Sequence, residues 1–273
     1  MKLTMPKSKP HLLATATLLG AVFFAVPFKG AAQSFIINNT VADAFLASGS
    51  SGNPAGSNLT ADNYGGAGQL AIGSASSTKG EFDSVIMFNT ASAVSSFNTT
   101  YGAGNWTITG FTLSLASNNG TNGSIPNNNI FNTVSGGNFG IDWLSNDTWV
   151  EGTGTPASPS ATGVNFNSIS TLLAGDSTLG TYTYTPPGNN VYANYNLPLN
   201  LDLITNTVGG GNVSLYFYAA DSSVSYLFNS RSGPTPHPEL TIDVTPTPEP
   251  ATISLMAVSL SGMLWLRARH KKP

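Results

Sequence analysis

A two-residue alternation of apolar and polar side chains recurs along the centre of this chain and constrains the fold more than any other feature. Leu240, Ile242 and Val244 alternate with Thr241 and Asp243; Val213, Leu215 and Phe217 with Ser214 and Tyr216; Phe139, Ile141 and Trp143 with Gly140 and Asp142. Side chains along a strand point to opposite faces in turn, so each run predicts a strand with one buried face. From Trp106 to Leu115 the apolar positions are even before Gly110 and odd after it. An extra residue in a β-bulge produces that parity change, and Gly110 is the expected bulge.

Further strands are expected over Gln69 to Gly73, Phe82 to Phe88, Thr181 to Thr185 and Tyr226 to Arg231. Helical spacing is confined to three short stretches: Val94, Phe97 and Tyr101; Phe166, Ile169 and Leu173; Leu201, Ile204 and Val208, the last stopped by Gly209, Gly210 and Gly211. These are too few to cover a parallel sheet, and no βαβ rhythm is present. The prediction is an all-β, two-sheet β-sandwich of jelly-roll type with a few short helices. Composition agrees: only 8% of the residues are charged, and there are 29 glycines. That suits short strands and many turns better than long surface helices. No cysteine is present, which excludes disulfides, thiolate metal sites and a cysteine nucleophile.

Charge is partitioned. Lys2, Lys7, Lys9 and Lys29 precede the central region, and Arg267, Arg269, Lys271 and Lys272 follow it, leaving Lys79 and Arg231 inside. Twelve carboxylates from Asp43 to Asp243 oppose those two cations, a net charge of −10. A domain this acidic repels phosphate backbones, so nucleic acid is not an expected partner.

The two ends read as addresses. Residues 1–32 have the form of a secretory signal peptide with a helical apolar stretch. Lys2, Lys7 and Lys9 supply the positive region, the run from Leu12 to Val26 the apolar core, and Gly30, Ala31 and Ala32 the small residues before Gln33. Signal peptidase is thus an expected partner, cutting between Ala32 and Gln33. At the other end Pro248, Glu249 and Pro250 lead into an uncharged stretch, 251–266, and then the basic tail 267–273. As a single transmembrane helix that stretch would reach roughly 24 Å, short of the roughly 30 Å hydrocarbon core, so it predicts a provisional anchor. The tail is expected to stay cytoplasmic and the 33–245 domain outside.

The ordered triple of Pro-Glu-Pro, short apolar helix and basic cluster resembles the PEP-CTERM sorting domain. The resemblance implies that residues 246–273 are a sorting signal cut by an exosortase-type processing enzyme near Pro248 to Pro250. It also implies a Gram-negative-type envelope, a transient inner-membrane anchor, and delivery to the cell surface or the exopolysaccharide matrix. In the central domain, Ala42-Asp43-Ala44, Asn63-Tyr64-Gly65-Gly66 and Phe82 to Asn89 occur in that order. Trp106 to Leu115, Trp149-Val150-Glu151, Leu201 to Thr205 and Phe228-Asn229-Ser230-Arg231 before Pro238-Glu239-Leu240 follow. Together they resemble the DNRLRE family of secreted β-sandwich domains, some of which are carbohydrate-binding modules. Asn89 stands where that family has an Asp, and His237-Pro238 where Arg-Pro is frequent.

Catalytic chemistry is sparse. A serine hydrolase needs a base held by an orienting acid, and His237, the one histidine of the 33–245 region, lies between prolines on a turn-like stretch. Asp142, Asp147 and Glu151 form the densest carboxylate cluster, either solvated or ligating Ca²⁺; Asp43 and Asp243 are a second candidate pair. Calcium is compatible with this reading, and no cofactor is required by it. A glycosidase would need two carboxyls in a cleft. Tyr182 and Tyr184, with Tyr192 and Tyr195 after Pro186-Pro187-Gly188, are candidates either for a sugar-stacking platform or for a half-buried sandwich face. Arg231 is a candidate for an acidic sugar or for an internal ion pair. The first expectation is a non-enzymatic structural or adhesive surface protein; the alternatives are a lectin-like carbohydrate-binding module and, remotely, a carbohydrate-active enzyme.

Overall fold

The computed structural model describes residues 30–49, 59–75, 80–118, 137–185, 188–247 and 258–263. Residues 1–29, Lys79, the Pro-Glu-Pro motif 248–250 and the tail residues Arg267, Arg269, Lys271 and Lys272 lie outside that set, as does most of the expected membrane helix 251–266. Residues 258–263 are helical and exposed. No helix among the described residues is long and apolar enough to cross a membrane.

The described residues from 30 to 247 form one compact unit. Its strands are β1 (Gln33–Ile37), β2 (Thr40–Ala47), β3 (Gln69–Gly73), β4 (Phe82–Asn89), β5 (Trp106–Ala116), β6 (Gly137–Leu144), β7 (Ser177–Tyr184), β8 (Tyr192–Leu197), β9 (Asn212–Ala219), β10 (Ser225–Asn229) and β11 (Glu239–Pro246). Its helices are α1 (Ala91–Tyr101), α2 (Ile169–Leu172) and α3 (Leu201–Val208). Two antiparallel sheets result. One has the order β1-β11-β5-β8; the other runs β10-β3-β4-β9-β6-β7, with β2 also paired to β4. Only β3–β4 and β6–β7 join strands adjacent in sequence, so almost every ladder closes a long loop.

The alternating residues meet between the sheets. Leu240, Ile242 and Val244 of β11 are fully buried against Phe111, Leu113 and Leu115 of β5 and against Phe139, Ile141, Leu215 and Phe217 of the facing sheet. The bulge falls at Gly110: Asp243 pairs Gly110 and Val244 pairs Ile108, leaving Thr109 as the extra residue. A Cβ at Gly110 would press on the Asp243 carboxylate at 3.0 Å. The three helical stretches are helices, with a 3₁₀ turn at Phe166–Ser168 leading into α2. Asn200 caps α3 by accepting from Asp202 N (2.9 Å) and Leu203 N (3.1 Å).

Three strands escaped the pattern, and one expectation about faces is corrected. β1 and β8 lie on the smaller sheet, and β2 reads Thr-Val-Ala-Asp-Ala-Phe-Leu-Ala, without alternation, because both its faces are buried. Ser214 and Tyr216 of β9, expected opposite its buried face, are buried as well, and so are Asp83 and Val85 on the same face of β4, each of the four at most 5% exposed. The segment between β6 and β7 covers that outer face. Trp149, Val164, Phe166, Ile169, Leu172 and Leu173 pack on Ala44, Leu46, Val85, Leu144 and Tyr216.

Candidate functional site

The covering segment is latched at one corner by four side chains. Asn63, which is 0% exposed, donates through Nδ2 to Glu151 O (2.6 Å) and Val164 O (2.7 Å). Its Oδ1 accepts from Gly65 N and Gly154 N, both at 3.1 Å. One amide therefore satisfies two backbone donors and two backbone acceptors drawn from both limbs of the segment and from its own turn, a complete use of the group. Glu151 accepts from Arg231 in a two-pronged ion pair, Nε to Oε1 at 2.7 Å and Nη2 to Oε2. Glu151 Oε1 also accepts from Asp43 N at 3.2 Å, and Asp43 Oδ2 accepts from Arg231 N at 2.7 Å. The stretches Ala42-Asp43-Ala44, Asn63-Tyr64-Gly65-Gly66, Trp149-Val150-Glu151 and Phe228-Asn229-Ser230-Arg231 thus converge on one corner.

Glycines make the approach close enough. At Gly65 a Cβ would collide with Glu151 O. Gly152 has φ +77, where a side chain is disfavoured, and a Cβ there would strike Asn63 Oδ1.

The other sequence candidates are distributed differently. The tyrosines do not form an outward platform. Tyr184 is 1% and Tyr195 5% exposed, with Tyr184 against Tyr226 at 4.1 Å between ring centroids and Tyr195 edge-on to Phe139 at 5.1 Å. Tyr182 is half-buried against Tyr195, and Tyr192 donates to His237 O at 2.7 Å. The strand period places the Tyr182 and Tyr184 rings between the sheets, the second of the two roles open to them. Asp142, Asp147 and Glu151 are not gathered: among the described residues no group of three or more His, Asp or Glu stands close enough to hold a metal ion. Asp142 is buried on the covered face of β6 rather than solvated, and Asp147 is half-buried in the turn after it. Asp43 and Asp243 belong to different sheets. His237 Nδ1 donates to Ser230 O at 2.9 Å.

Burial sets the electrostatics of the covered face. The Asp43 carboxyl is pushed up to about 7 by desolvation, against the opposing pull of the Arg231 backbone N–H and charge. Asp83 is likewise raised to about 7 by desolvation, although Tyr216 Oη donates to its Oδ2 at 2.7 Å. Asp142 is raised by burial too.

Next to the corner the same segment forms an open groove of about 500 Å³, with Trp149, Asn146, Asn167 and Thr171 in its wall and no charged side chain lining it. Its lining sets one aromatic ring among amides and hydroxyls, the chemistry of a binding site. Helical spacing marked the stretch at Phe166, Ile169 and Leu173 but not the groove, because the wall formed by Asn146, Thr148, Trp149, Val150, Gly163, Val164 and Asn165 is irregular chain; the one available sign was an isolated Trp within a polar, Asn-rich stretch. Fold and site together define a non-local antiparallel β-sandwich carrying a latched second layer. No protein-family model matches the chain, and no curated protein matches it in sequence.

Proposed function

We propose that the protein is exported to the bacterial envelope, is sorted and cut through residues 246–273 by an exosortase-type enzyme, and then serves a non-catalytic structural or adhesive role at the cell surface or in the exopolysaccharide matrix. The observation that carries this reading is how the fold sits between the two addresses. β1 begins at Gln33, immediately after the Ala32 cleavage position, and β11 ends at Pro246, two residues before the Pro-Glu-Pro motif. β1 and β11 are moreover paired, Gln33 opposite Val244, so both ends of the domain leave from one edge of one sheet. Cutting on either side would leave every ladder intact.

The connection pattern is of jelly-roll type in this reading. The non-enzymatic role is supported by the fate of the ionisable groups: Glu151 and Arg231 neutralise each other, and Asp43 and Asp83 are buried. The test is intact mass of the protein recovered from the culture or outer envelope. A mature chain from Gln33 to near Pro250 is expected; a chain still carrying Trp265 and the basic tail would defeat the sorting proposal. Replacing Arg267, Arg269, Lys271 and Lys272 by uncharged residues should impair surface delivery in fractionation, because those charges orient the short helix. A second reading, a lectin-like module, is favoured by the groove beside Trp149.

A further inference from the structure

The geometry points to the groove at Trp149 as a binding site for a neutral polysaccharide chain, an inference that rests on the surface-matrix reading and gives it a ligand class. A pyranose ring offers an apolar C–H face and hydroxyls that each donate and accept. Its complement is an aromatic surface flanked by amides and hydroxyls. Trp149 supplies the first. It is half-buried on the Leu144, Val164 and Leu172 cluster, and its Nε1 donates to Ser214 Oγ at 3.0 Å, which fixes the ring with part of its surface in the groove.

Asn146, Asn167 and Thr171 supply the second. Asn146 Oδ1 accepts from Thr148 N and Oγ1, both at 3.1 Å, which orients the amide and leaves Nδ2 with no partner among the described residues. Asn167 and Thr171 are exposed, and their side chains make no hydrogen bond among the described residues. The groove is also preorganised. Val164 N donates to Val150 O at 2.8 Å across its floor, and Asn63 holds Val164 O from behind. Binding therefore does not require the loop to be ordered first. A volume of about 500 Å³ lies within the roughly 300–1,000 Å³ of small-ligand sites.

Charge selects the class of sugar. An acidic glycan needs a cation in its site, and none lines this groove. Arg231 is engaged by Glu151, and the domain's net charge of −10 repels a polyuronate. A neutral glycan meets neither obstacle.

The test is affinity electrophoresis of the full chain, purified in a detergent without a sugar headgroup. The gels contain dextran, a β-1,3-glucan, galactomannan or xyloglucan, with alginate and polygalacturonate in parallel. Retardation by at least one neutral polymer and by neither acidic one is expected. Asn167→Ala combined with Thr171→Ala, two exposed positions whose loss leaves the packing intact, should weaken that binding about tenfold. Trp149→Phe should keep most of it and Trp149→Ala lose it. No retardation by any neutral polymer, retardation by the acidic ones, or a double variant that binds like the parent would each overturn the inference. None of those outcomes touches the sorting proposal, which intact mass decides separately.

Discussion

Outside β5 and β8, Thr112 pairs with Asn196 and Ser114 with Asn194 across the ladder, at 3.1 and 2.9 Å, and both asparagines face solvent. Outside β4 and β9 the corresponding positions hold Asp83, Val85, Ser214 and Tyr216, and none of them reaches solvent. Both sheets are antiparallel, yet one outer face is finished by its own polar side chains while the other is finished by the 30-residue connection laid over it, 146–175, which includes α2. The difference teaches where function can be carried. A polar pair on a ladder only solvates the sheet, whereas a covering layer can be shaped, and in this protein it holds the groove.

The largest effect expected is one that removes both faces together. Ile242→Asp puts a carboxylate into the core shared by the sheets, at a cost of several kcal/mol, on the order of the whole stability of a domain. Thermal melts of the full chain should show the folded state lost, and a variant that melts like the parent would take β11 out of the core.

Next in size is Asn63→Ala, which leaves four backbone groups of the covered face without their partner and should cost about 3–5 kcal/mol. Neither its burial nor its role was legible in the sequence. An asparagine before Tyr-Gly-Gly reads as a turn residue, because side-chain burial in an irregular segment follows no period. What was legible is instructive by contrast. β11, β9, β6 and the Gly110 bulge were readable because one polar neighbour alternates with each core residue. β2 was hidden because a strand covered on both sides has no alternation to display. The four stretches that meet at the latch resembled one family in order along the chain, but only the fold brings Asp43, Asn63, Glu151 and Arg231 into contact.

The covered face should also give itself away by its pH dependence. Asp43 and Asp83 have folded-state values near 7, above the usual carboxylate value of 3.8, so the native state holds protons that the unfolded chain releases. Their contribution to stability is fully present below about pH 4 and is lost as the pH rises through 7. Asp83→Asn should flatten the fall in melting temperature between pH 5 and 8, removing an effect of up to about 3 kcal/mol over that window. An unchanged slope would place the Asp83 carboxyl in water. The smallest effect belongs to the other face: Asn194→Ala should shift stability by no more than about 0.5 kcal/mol, since the pair with Ser114 lies at the surface.

Native-state hydrogen exchange on the full chain tests the latched layer most directly. The amides of Gly154 and Val164, which donate to Asn63 Oδ1 and Val150 O, should be protected nearly as well as those of β4 and β9 beneath them. In Asn63→Ala that protection should drop while β5 and β11 keep theirs. Exchange at these two amides as fast as in an ordinary surface loop, or protection unaffected by the loss of Asn63, would contradict a second layer held at that corner.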